Sequence, residues 1–266
     1  MFAKSLDREC EKKSSFLCVG LDPNYESLKA SGFGGSLFDY NKLIIDATAK
    51  FAIAFKPQVA YYSAYGKEDE LIQTVQYIRE KHPMIPIILD AKRGDIGSTA
   101  DMYAKESYEK FGVDAVTVNP YMGSDCVAPF LKYENKGVIL LARTSNDGAK
   151  LQDFDLDGKL LYRHFIDGIV ETTGLSPNLA FVVGATCKGA LREMSTEYKE
   201  NWFLVPGVGA QGAKVADVLQ NINRESPRVL INVSRGLAKY DANERVITKF
   251  AFQNAKALSE EMKTHF

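Results

Sequence analysis

The sequence predicts an α/β protein built as a (β/α)8 TIM barrel. Two observations carry this prediction: eight short apolar runs recur along the 266 residues, and segments with helical periodicity separate them. Continuous apolar runs are typical of parallel strands covered on both faces. Strand and helix alternating eight times within about 250 residues is typical of a closed barrel. The predicted strands are Phe16–Leu21, Phe51–Phe55, Ile85–Leu89, Ala115–Val118, Gly137–Leu141, Leu179–Val183, Trp202–Val205 and Val229–Val233.

Helices are predicted where apolar residues recur at a spacing of three or four. One example follows the acidic Glu70, where Leu71, Val75 and Ile78 share a helical face. An acidic first turn stabilises such a helix through its dipole. The predicted helices include Leu71–Lys81, Thr99–Phe111, Leu160–Thr172, Ala213–Asn221 and Glu244–Met262.

An open doubly wound sheet is the alternative architecture. Such a sheet usually has a glycine-rich first turn, but the first strand here runs into Gly20-Leu21-Asp22-Pro23 without a G-x-G-x-x-G. No linker-like stretch divides the chain, so residues 1–266 are predicted to form a single domain. The segments Asn24–Ser36 and Ser145–Asp157 are the longest loop-like insertions, and we expect them to cover the barrel mouth as mobile loops.

The charge balance excludes some classes of partner. Lysine and arginine total 33 against 34 aspartates and glutamates, a formal charge of −1, which predicts no nucleic-acid or anionic membrane surface. Apolar stretches such as Gly137–Ala142 are far shorter than the roughly 18 residues of a membrane helix. The segment Met1–Lys13 is charged and has no apolar core of a signal peptide, so we expect a cytoplasmic protein.

Cysteine and histidine are scattered and form no ligand motif. No C-x-x-C occurs, which argues against a zinc site and favours reduced thiols. We therefore predict no metal, and expect the histidines to be structural or solvent-exposed rather than catalytic. The residues concerned are Cys10, Cys18, Cys126, Cys187, His82, His164 and His265.

Charged residues follow several predicted strands at the end where barrels carry their chemistry. Asp90 and Lys92 are two apart on strand three, so regular alternation places both on one face with Cα atoms roughly 6.6 Å apart. Lys56 on the neighbouring strand would stand about 5 Å away. Asp22 ends strand one, and Asp95 lies beyond strand three in the next turn. A structural ion pair is the alternative, but burying several charges costs free energy, which favours a functional cluster.

A second group of residues suits an anion. Gly207, Gly209 and Gly212 allow close approach to backbone N–H groups, and a predicted helix starts at Ala213. Arg235 ends the eighth strand and offers a planar fork that matches phosphate oxygens. A glycine turn alone serves packing equally well. Together with an arginine at the neighbouring strand end, it predicts a phosphate site.

Six short motifs follow one another along the chain: Gly20-Leu21-Asp22-Pro23, Phe55-Lys56-Pro57, Asp90-Ala91-Lys92-Arg93-Gly94-Asp95-Ile96, Asn119-Pro120-Tyr121-x-Gly123, Pro206-Gly207-Val208-Gly209-x-Gln211 and Ser234-Arg235-Gly236. In this order they closely resemble the orotidine 5'-phosphate decarboxylase family, in its longer bacterial form. The resemblance spans roughly residues 16–250, and Asp-x-Lys-x-x-Asp alone is shared with related sugar-phosphate barrels.

The resemblance implies a cytoplasmic carboxy-lyase that converts orotidine 5'-monophosphate to uridine 5'-monophosphate and CO2 without a metal or organic cofactor. This is the last step of de novo UMP synthesis. By position, Lys92 would donate a proton to C6 of the pyrimidine, and Asp90 would lie beside the departing carboxylate. Lys56 and Asp22 would bind the ribose hydroxyls.

The resemblance also implies a homodimer, in which Asp95 and Thr99 reach the partner's site. Gln211 and Arg235 would hold the phosphate, with Gly209 and Ser234 beside them; Ser234 stands where relatives often have glycine. Ser145 would contact the pyrimidine, with Asn146 as the alternative.

Two other functions remain open from the residues. The first is a metal-dependent sugar-phosphate decarboxylase or epimerase on the same barrel, against which the shortage of carboxylates at strand ends four to six argues. The second is a barrel that binds a phosphoribosyl ligand without turnover. A chelator distinguishes the first, and incubation with orotidine 5'-monophosphate distinguishes the second.

Overall fold

The computed structural model describes residues 1–209 and 212–266, and it contains an eight-stranded parallel sheet and a two-stranded antiparallel hairpin. The strands are Leu17–Leu21 (β1), Ala54–Pro57 (β2), Ile88–Arg93 (β3), Ala115–Val118 (β4), Gly137–Arg143 (β5), Asp155–Leu156 (β6), Lys159–Leu160 (β7), Leu179–Val183 (β8), Trp202–Pro206 (β9) and Val229–Val233 (β10).

The large sheet has the order β2-β1-β10-β9-β8-β5-β4-β3, and its end strands meet. Isolated parallel bridges pair Phe55 with Ile87 and Gln58 with Asp90, so β2 and β3 join and the sheet closes on itself. The hairpin β6–β7 lies outside this barrel. The predicted (β/α)8 barrel is confirmed.

Helices follow the barrel strands along the chain and cover the outer face of the sheet. They are Phe2–Lys13 (α1), Tyr25–Ala30 (α2), Leu37–Thr48 (α3), Ala60–Ser63 (α4), Glu68–Lys81 (α5), Gly97–Lys105 (α6), Ala128–Leu131 (α7), Leu161–Thr173 (α8), Lys188–Glu197 (α9), Val215–Leu219 (α10) and Glu244–Lys263 (α11). A π-helical turn, Glu106–Lys110, extends α6. No helix in the described part of the chain is long and apolar enough to cross a bilayer.

The amino-terminal end of the barrel is closed by α1, which the apolar-run analysis did not predict. Phe2 and Leu6 are buried there, and the Phe2 ring lies against Gly137 at the start of β5. A Cβ on Gly137 would come within 2.2 Å of that ring, so only glycine allows this contact. The Trp202 indole N–H also donates to Asp7 Oδ1 at 3.2 Å, which ties α1 to β9.

The strand predictions differ most from the structure at β2 and β3. The predicted second strand began at Phe51 and the third at Ile85, whereas the strands begin at Ala54 and Ile88 and continue to Pro57 and Arg93. The apolar residues before each strand are buried connections, and the charged residues at each strand end belong to the ladder. An apolar run therefore predicts which residues are buried, but it does not predict where the strand begins and ends.

The two predicted loop insertions carry regular structure. Residues 24–36 contain α2, whose N-cap Asn24 accepts a hydrogen bond from the Ser27 N–H at 2.8 Å. Residues 145–157 contain the 3-10 helix Asp147–Asp153 and strand β6. The Asn24 cap supplies one of the backbone hydrogen bonds that a loop would leave to water.

Candidate active site

Three charged side chains meet at the carboxyl end of β2 and β3. Lys56 Nζ lies 2.8 Å from Asp90 Oδ2, and Lys92 Nζ lies 2.6 Å from Asp90 Oδ1. Lys56 and Asp90 are buried, whereas the Lys92 side chain is about half exposed, at 48%. One carboxylate thus holds two ammonium groups, one inside the barrel and one at its mouth.

The electrostatics of this group favour the charged forms. Burial alone would raise the pKa of Asp90, but the ammonium groups of Lys56 and Lys92 outweigh it and hold that pKa well below its usual range. Burial opposes the charge of Lys56, yet the carboxylates of Asp90 and Asp22 raise its pKa above the usual lysine range. The buried pair is therefore ionised at neutral pH.

The backbone at Lys92 departs from the regular alternation that the sequence predicted. Lys92 has φ +46°, and the pairing of β3 with β4 shifts between Leu89 and Arg93. The prediction of a regular strand is therefore wrong at this point, although the ammonium still reaches Asp90. A non-glycine residue in this region costs of order 1–3 kcal/mol, and such strain clusters at functional sites.

Thr117, on β4, belongs to this group, and the sequence analysis did not identify it. Its hydroxyl donates to Asp90 Oδ1 at 3.0 Å and accepts from the backbone N–H groups of Ala91 and Lys92 at 3.0 and 2.9 Å. The available signal was a threonine inside an otherwise apolar buried strand, because a buried hydroxyl needs hydrogen-bond partners.

A cavity of about 540 Å³ lies beside the charge cluster, at the carboxyl ends of β1, β9 and β10. Asp22, Ser234 and Arg235 line it, together with Pro206, Gly207 and Val208 from the end of β9. Gly20 lets β1 approach the end of β10, since a Cβ there would come within 2.6 Å of Ser234 Cβ. The structure thus brings together Asp22, Ser234 and Arg235, which are far apart in sequence.

Among the described residues, Asp22 Oδ1 and Asn232 Oδ1 are buried acceptors in this cavity that find no hydrogen-bond partner. An unpaired buried acceptor costs about 1–3 kcal/mol, so a ligand that supplies hydroxyl donors would recover free energy here. Asn232, on β10, was not identified from the sequence. An asparagine within an apolar strand was the available signal.

In the described residues, the glycine turn after β9 is held by hydrogen bonds between its own backbone groups. The Gly209 N–H donates to the Ala213 carbonyl at 2.8 Å, and the Gly212 N–H donates to the Gly209 carbonyl at 3.2 Å. The Gly209 N–H is therefore engaged within the turn. Gln211, predicted to hold the phosphate, lies outside the described residues. The helix that follows begins at Val215, two residues later than predicted.

Lys92 itself lines a second, more apolar cavity of about 500 Å³. Asn119, Thr144 and Asn146 line it with Lys92, alongside Tyr121, Leu151, Leu161, Tyr162 and Phe165. Ser145 lines a neighbouring cavity and packs against Gly184. Of the two residues predicted to contact a pyrimidine, Asn146 therefore shares the cavity of Lys92.

Asp95 lies just before α6 and Thr99 in its first turn, and neither belongs to the charge cluster. Asp95 Oδ1 accepts a hydrogen bond from the Ile96 N–H at 2.8 Å, and Thr99 is exposed. Among the described residues, no group of three histidine, cysteine, aspartate or glutamate side chains could hold a metal ion.

A closed parallel barrel with buried charges at the carboxyl ends of its strands, next to a cavity lined by an arginine, defines a (β/α)8-barrel enzyme. The model of the orotidine 5'-phosphate decarboxylase / HUMPS family matches residues 15–250. The chain belongs to this family.

Relatives and solved structures agree with this assignment. Orotidine 5'-phosphate decarboxylase from Cupriavidus metallidurans is 43% identical over 240 residues, covering 89% of this chain and 88% of the relative. The enzyme of that name from Dechloromonas aromatica is 44% identical over 248 residues, covering 92% of each. The structure of Leishmania donovani OMP decarboxylase superposes with a TM-score of 0.83 at 33% identity, covering 99% of this chain and 98% of that one.

Proposed function

We propose that this protein decarboxylates orotidine 5'-monophosphate to uridine 5'-monophosphate and CO2, in pyrimidine biosynthesis. The observation that carries the proposal is the Lys56–Asp90–Lys92 cluster at the barrel mouth. Family membership and the decarboxylases at 42–44% identity support the same reaction.

The chemistry assigned to Lys92 follows from the reaction. When the bond between C6 and the carboxylate breaks, its electron pair stays on a ring carbon that delocalises it poorly. The Lys92 ammonium stabilises this developing charge and then transfers a proton to C6. Asp90 lies beside the carboxylate that leaves, and it keeps Lys92 oriented through the 2.6 Å contact. Lys92 regains its proton from solvent.

The remaining residues bind the rest of the nucleotide. Arg235 lines the cavity and forms no ion pair with any described carboxylate, so its guanidinium is available to a phosphate. Ribose hydroxyls would donate to Asp22 and to Asn232 Oδ1, which has no partner in the described part of the chain. Asn146 is the base-contacting residue that the cavity favours, while contacts from Ser145, Ser234, Gly209 and Gln211 stay predictions.

We also propose a homodimer in which Asp95 and Thr99 complete the partner's site. Support comes from the surface around them, where Ile96 and Met102 are 46% and 59% exposed. Tyr121 and Met122, which follow β4 in the sequence, are exposed as well. Clusters of exposed large apolar side chains mark interaction surfaces.

We also propose a cytoplasmic location. The four free cysteines fit a reducing compartment of this kind.

The deciding experiment is an ultraviolet assay of purified protein with orotidine 5'-monophosphate. We expect conversion to uridine 5'-monophosphate at an unchanged rate after treatment with EDTA. Activity that disappears with EDTA and returns with magnesium would instead support the metal-dependent barrel enzyme. Binding of the nucleotide without any conversion would overturn the enzymatic assignment.

A further inference from the structure

We propose that Thr117 is a positioning residue that holds Lys92 and Asp90 in their reactive arrangement. The inference rests on the proposed function, since it assigns to the same site a residue that acts through the catalytic pair. Thr117 lies on β4 opposite Ile139 of β5, and it is 1% exposed. Its side chain does not reach solvent, so its hydroxyl bonds only to protein groups.

The hydroxyl uses its full hydrogen-bonding capacity on one short segment of β3. A threonine hydroxyl has one proton and two lone pairs. Its proton goes to Asp90 Oδ1 at 3.0 Å, and its lone pairs accept the N–H groups of Ala91 and Lys92 at 3.0 and 2.9 Å. Three consecutive residues, Asp90 to Lys92, are thus fixed by a single oxygen.

These contacts replace ladder bonds that the irregular strand has lost. The register of β3 against β4 shifts between Leu89 and Arg93, where Lys92 takes φ +46°. Without the hydroxyl, two N–H groups would lose their acceptor, at about 1–3 kcal/mol for each group that stays buried. Thr117 therefore stabilises the left-handed backbone from which the Lys92 side chain projects into the mouth.

The same oxygen also sets the orientation of the carboxylate. Asp90 Oδ1 receives both the Thr117 hydroxyl and Lys92 Nζ, while Oδ2 receives Lys56 Nζ. The hydroxyl thus keeps the carboxylate plane turned so that each oxygen faces one ammonium. Loss of this contact would let Lys92 and Asp90 move relative to the reacting carbon, and a displacement of about 1 Å can cost 100-fold in rate.

The test compares Thr117→Val with Thr117→Ser in the full-length protein. Valine keeps the shape but removes the hydroxyl, whereas serine keeps the hydroxyl. We expect Thr117→Val to lower kcat for orotidine 5'-monophosphate by about 100-fold while changing the Kd for uridine 5'-monophosphate less than about threefold. Thr117→Ser should recover most of the lost kcat.

The control is Thr48→Val on α3, which removes another fully buried hydroxyl, bonded to the Ile44 carbonyl at 2.7 Å and remote from the mouth. It should lower the melting temperature without lowering kcat. If Thr117→Val does not fold, Thr117→Ala is compared with Thr117→Ser in its place.

Retention of kcat in the hydroxyl-free variants, or equal impairment of Thr117→Ser, would overturn the proposal. A parallel loss of kcat and nucleotide affinity would do the same, because that pattern indicates general loosening of the fold. If the wild-type protein itself shows no decarboxylation, the proposed function fails first. Wild-type activity measured beside the variants therefore separates the two failures.

Discussion

At the scale of single residues, the site depends on one carboxylate that holds two ammonium groups. A buried ion pair of this kind is weak support for stability, since apolar replacements are often neutral or stabilising. The cost of burying Lys56 and Asp90 is therefore best explained by chemistry at the mouth. Lys92, the half-exposed member, is the one that a substrate can reach.

Replacing Lys92 with alanine tests its role most directly. We expect Lys92→Ala to lose turnover by at least about 1,000-fold, because both charge stabilisation and the proton disappear. Binding of uridine 5'-monophosphate, measured by calorimetry, should persist. Lys132→Ala is the control, since Lys132 is exposed and its one ion pair with a described residue is to Asp101. A near-normal rate in Lys92→Ala would remove this residue from the mechanism.

Arg235 is predicted to recognise the phosphate rather than the nucleoside. Arg235→Ala should weaken binding of uridine 5'-monophosphate by about 10- to 100-fold, the range of a charge-assisted hydrogen bond. Uridine, which has no phosphate, should bind both proteins equally. The affinity of each ligand is measured as its inhibition of the decarboxylation reaction. Equal weakening of the nucleotide and the nucleoside would contradict the phosphate contact.

The depressed pKa of Asp90 predicts how stability depends on pH. Its folded-state pKa lies below the unfolded value of about 4, so its stabilising contribution is present above pH 4 and is lost as the pH falls further. We expect Asp90→Asn to be less stable than wild type at pH 7, because Lys56 is left buried without its partner. Urea unfolding at several pH values should show this difference shrinking on acidification below about pH 4. A difference that stays constant from pH 7 to pH 3 would exclude a depressed pKa.

At the scale of elements, apolar runs predicted the bounds of strands best where the strand carries no charged residue. The predicted bounds of β4, β8 and β10 agree with the structure. The ends of β2 and β3 could not be found this way, because charged residues interrupt the apolar run before each strand ends: Lys56 in β2, and Asp90, Lys92 and Arg93 in β3. The segment α1 reads as polar, although Phe2, Leu6 and Cys10 recur at helical spacing. Its burial depends on contacts with the amino-terminal end of the barrel, and a local sequence pattern carries no information about those contacts.

The irregular end of β3 shows a further limit of sequence reasoning. Spacing placed Asp90 and Lys92 on one face by alternation, but Lys92 reaches Asp90 from a left-handed backbone that Thr117 supports. Thr117 is distant in sequence and contacts β3 only after the sheet has formed. Residues that carry charge were therefore found from sequence, whereas the residue that orients them was not.

The 3-10 helix Asp147–Asp153 is fastened to the end of β5 and is predicted to position the base-contacting segment. Gln152 Oε1 accepts the Thr144 N–H at 2.8 Å, and Arg143 makes two contacts of 2.6 Å with Asp153. Gln152→Leu should raise KM for orotidine 5'-monophosphate by about tenfold, since the loop that bears Asn146 is released before the substrate binds. Steady-state kinetics provide the measurement.

Lys150→Ala, on the same 3-10 helix, is the matched control, since Lys150 is exposed and forms no ion pair with a described residue. It should leave KM unchanged. If Gln152→Leu and Lys150→Ala have the same KM, the hydrogen bond between Gln152 and Thr144 has no part in substrate binding.

At the scale of the whole molecule, the two ends of the barrel differ in purpose. The amino-terminal end is closed by α1. Several lysines at this end lie in the last turns of their helices, where a positive charge interacts favourably with the helix dipole; they include Lys12, Lys13, Lys81 and Lys263. The carboxyl end carries the charge cluster, the cavities and an exposed apolar surface beside α6. Function and association are therefore expected at one end.

A shared site makes a prediction that only the assembled molecule can test. If Asp95 serves the partner's site while Lys92 serves its own, a heterodimer of Lys92→Ala and Asp95→Ala contains one site with both residues intact. Random exchange of subunits should restore about one quarter of wild-type activity, because half of the dimers are mixed and each has one working site. Mixing Lys92→Ala with Asp90→Asn is the control, since both residues lie in the same site and no intact site can form. Subunit exchange is verified with differently tagged chains. Verified exchange without recovery would place Asp95 outside the partner's site, whereas recovery in the first mixture alone would establish that each site draws on both subunits.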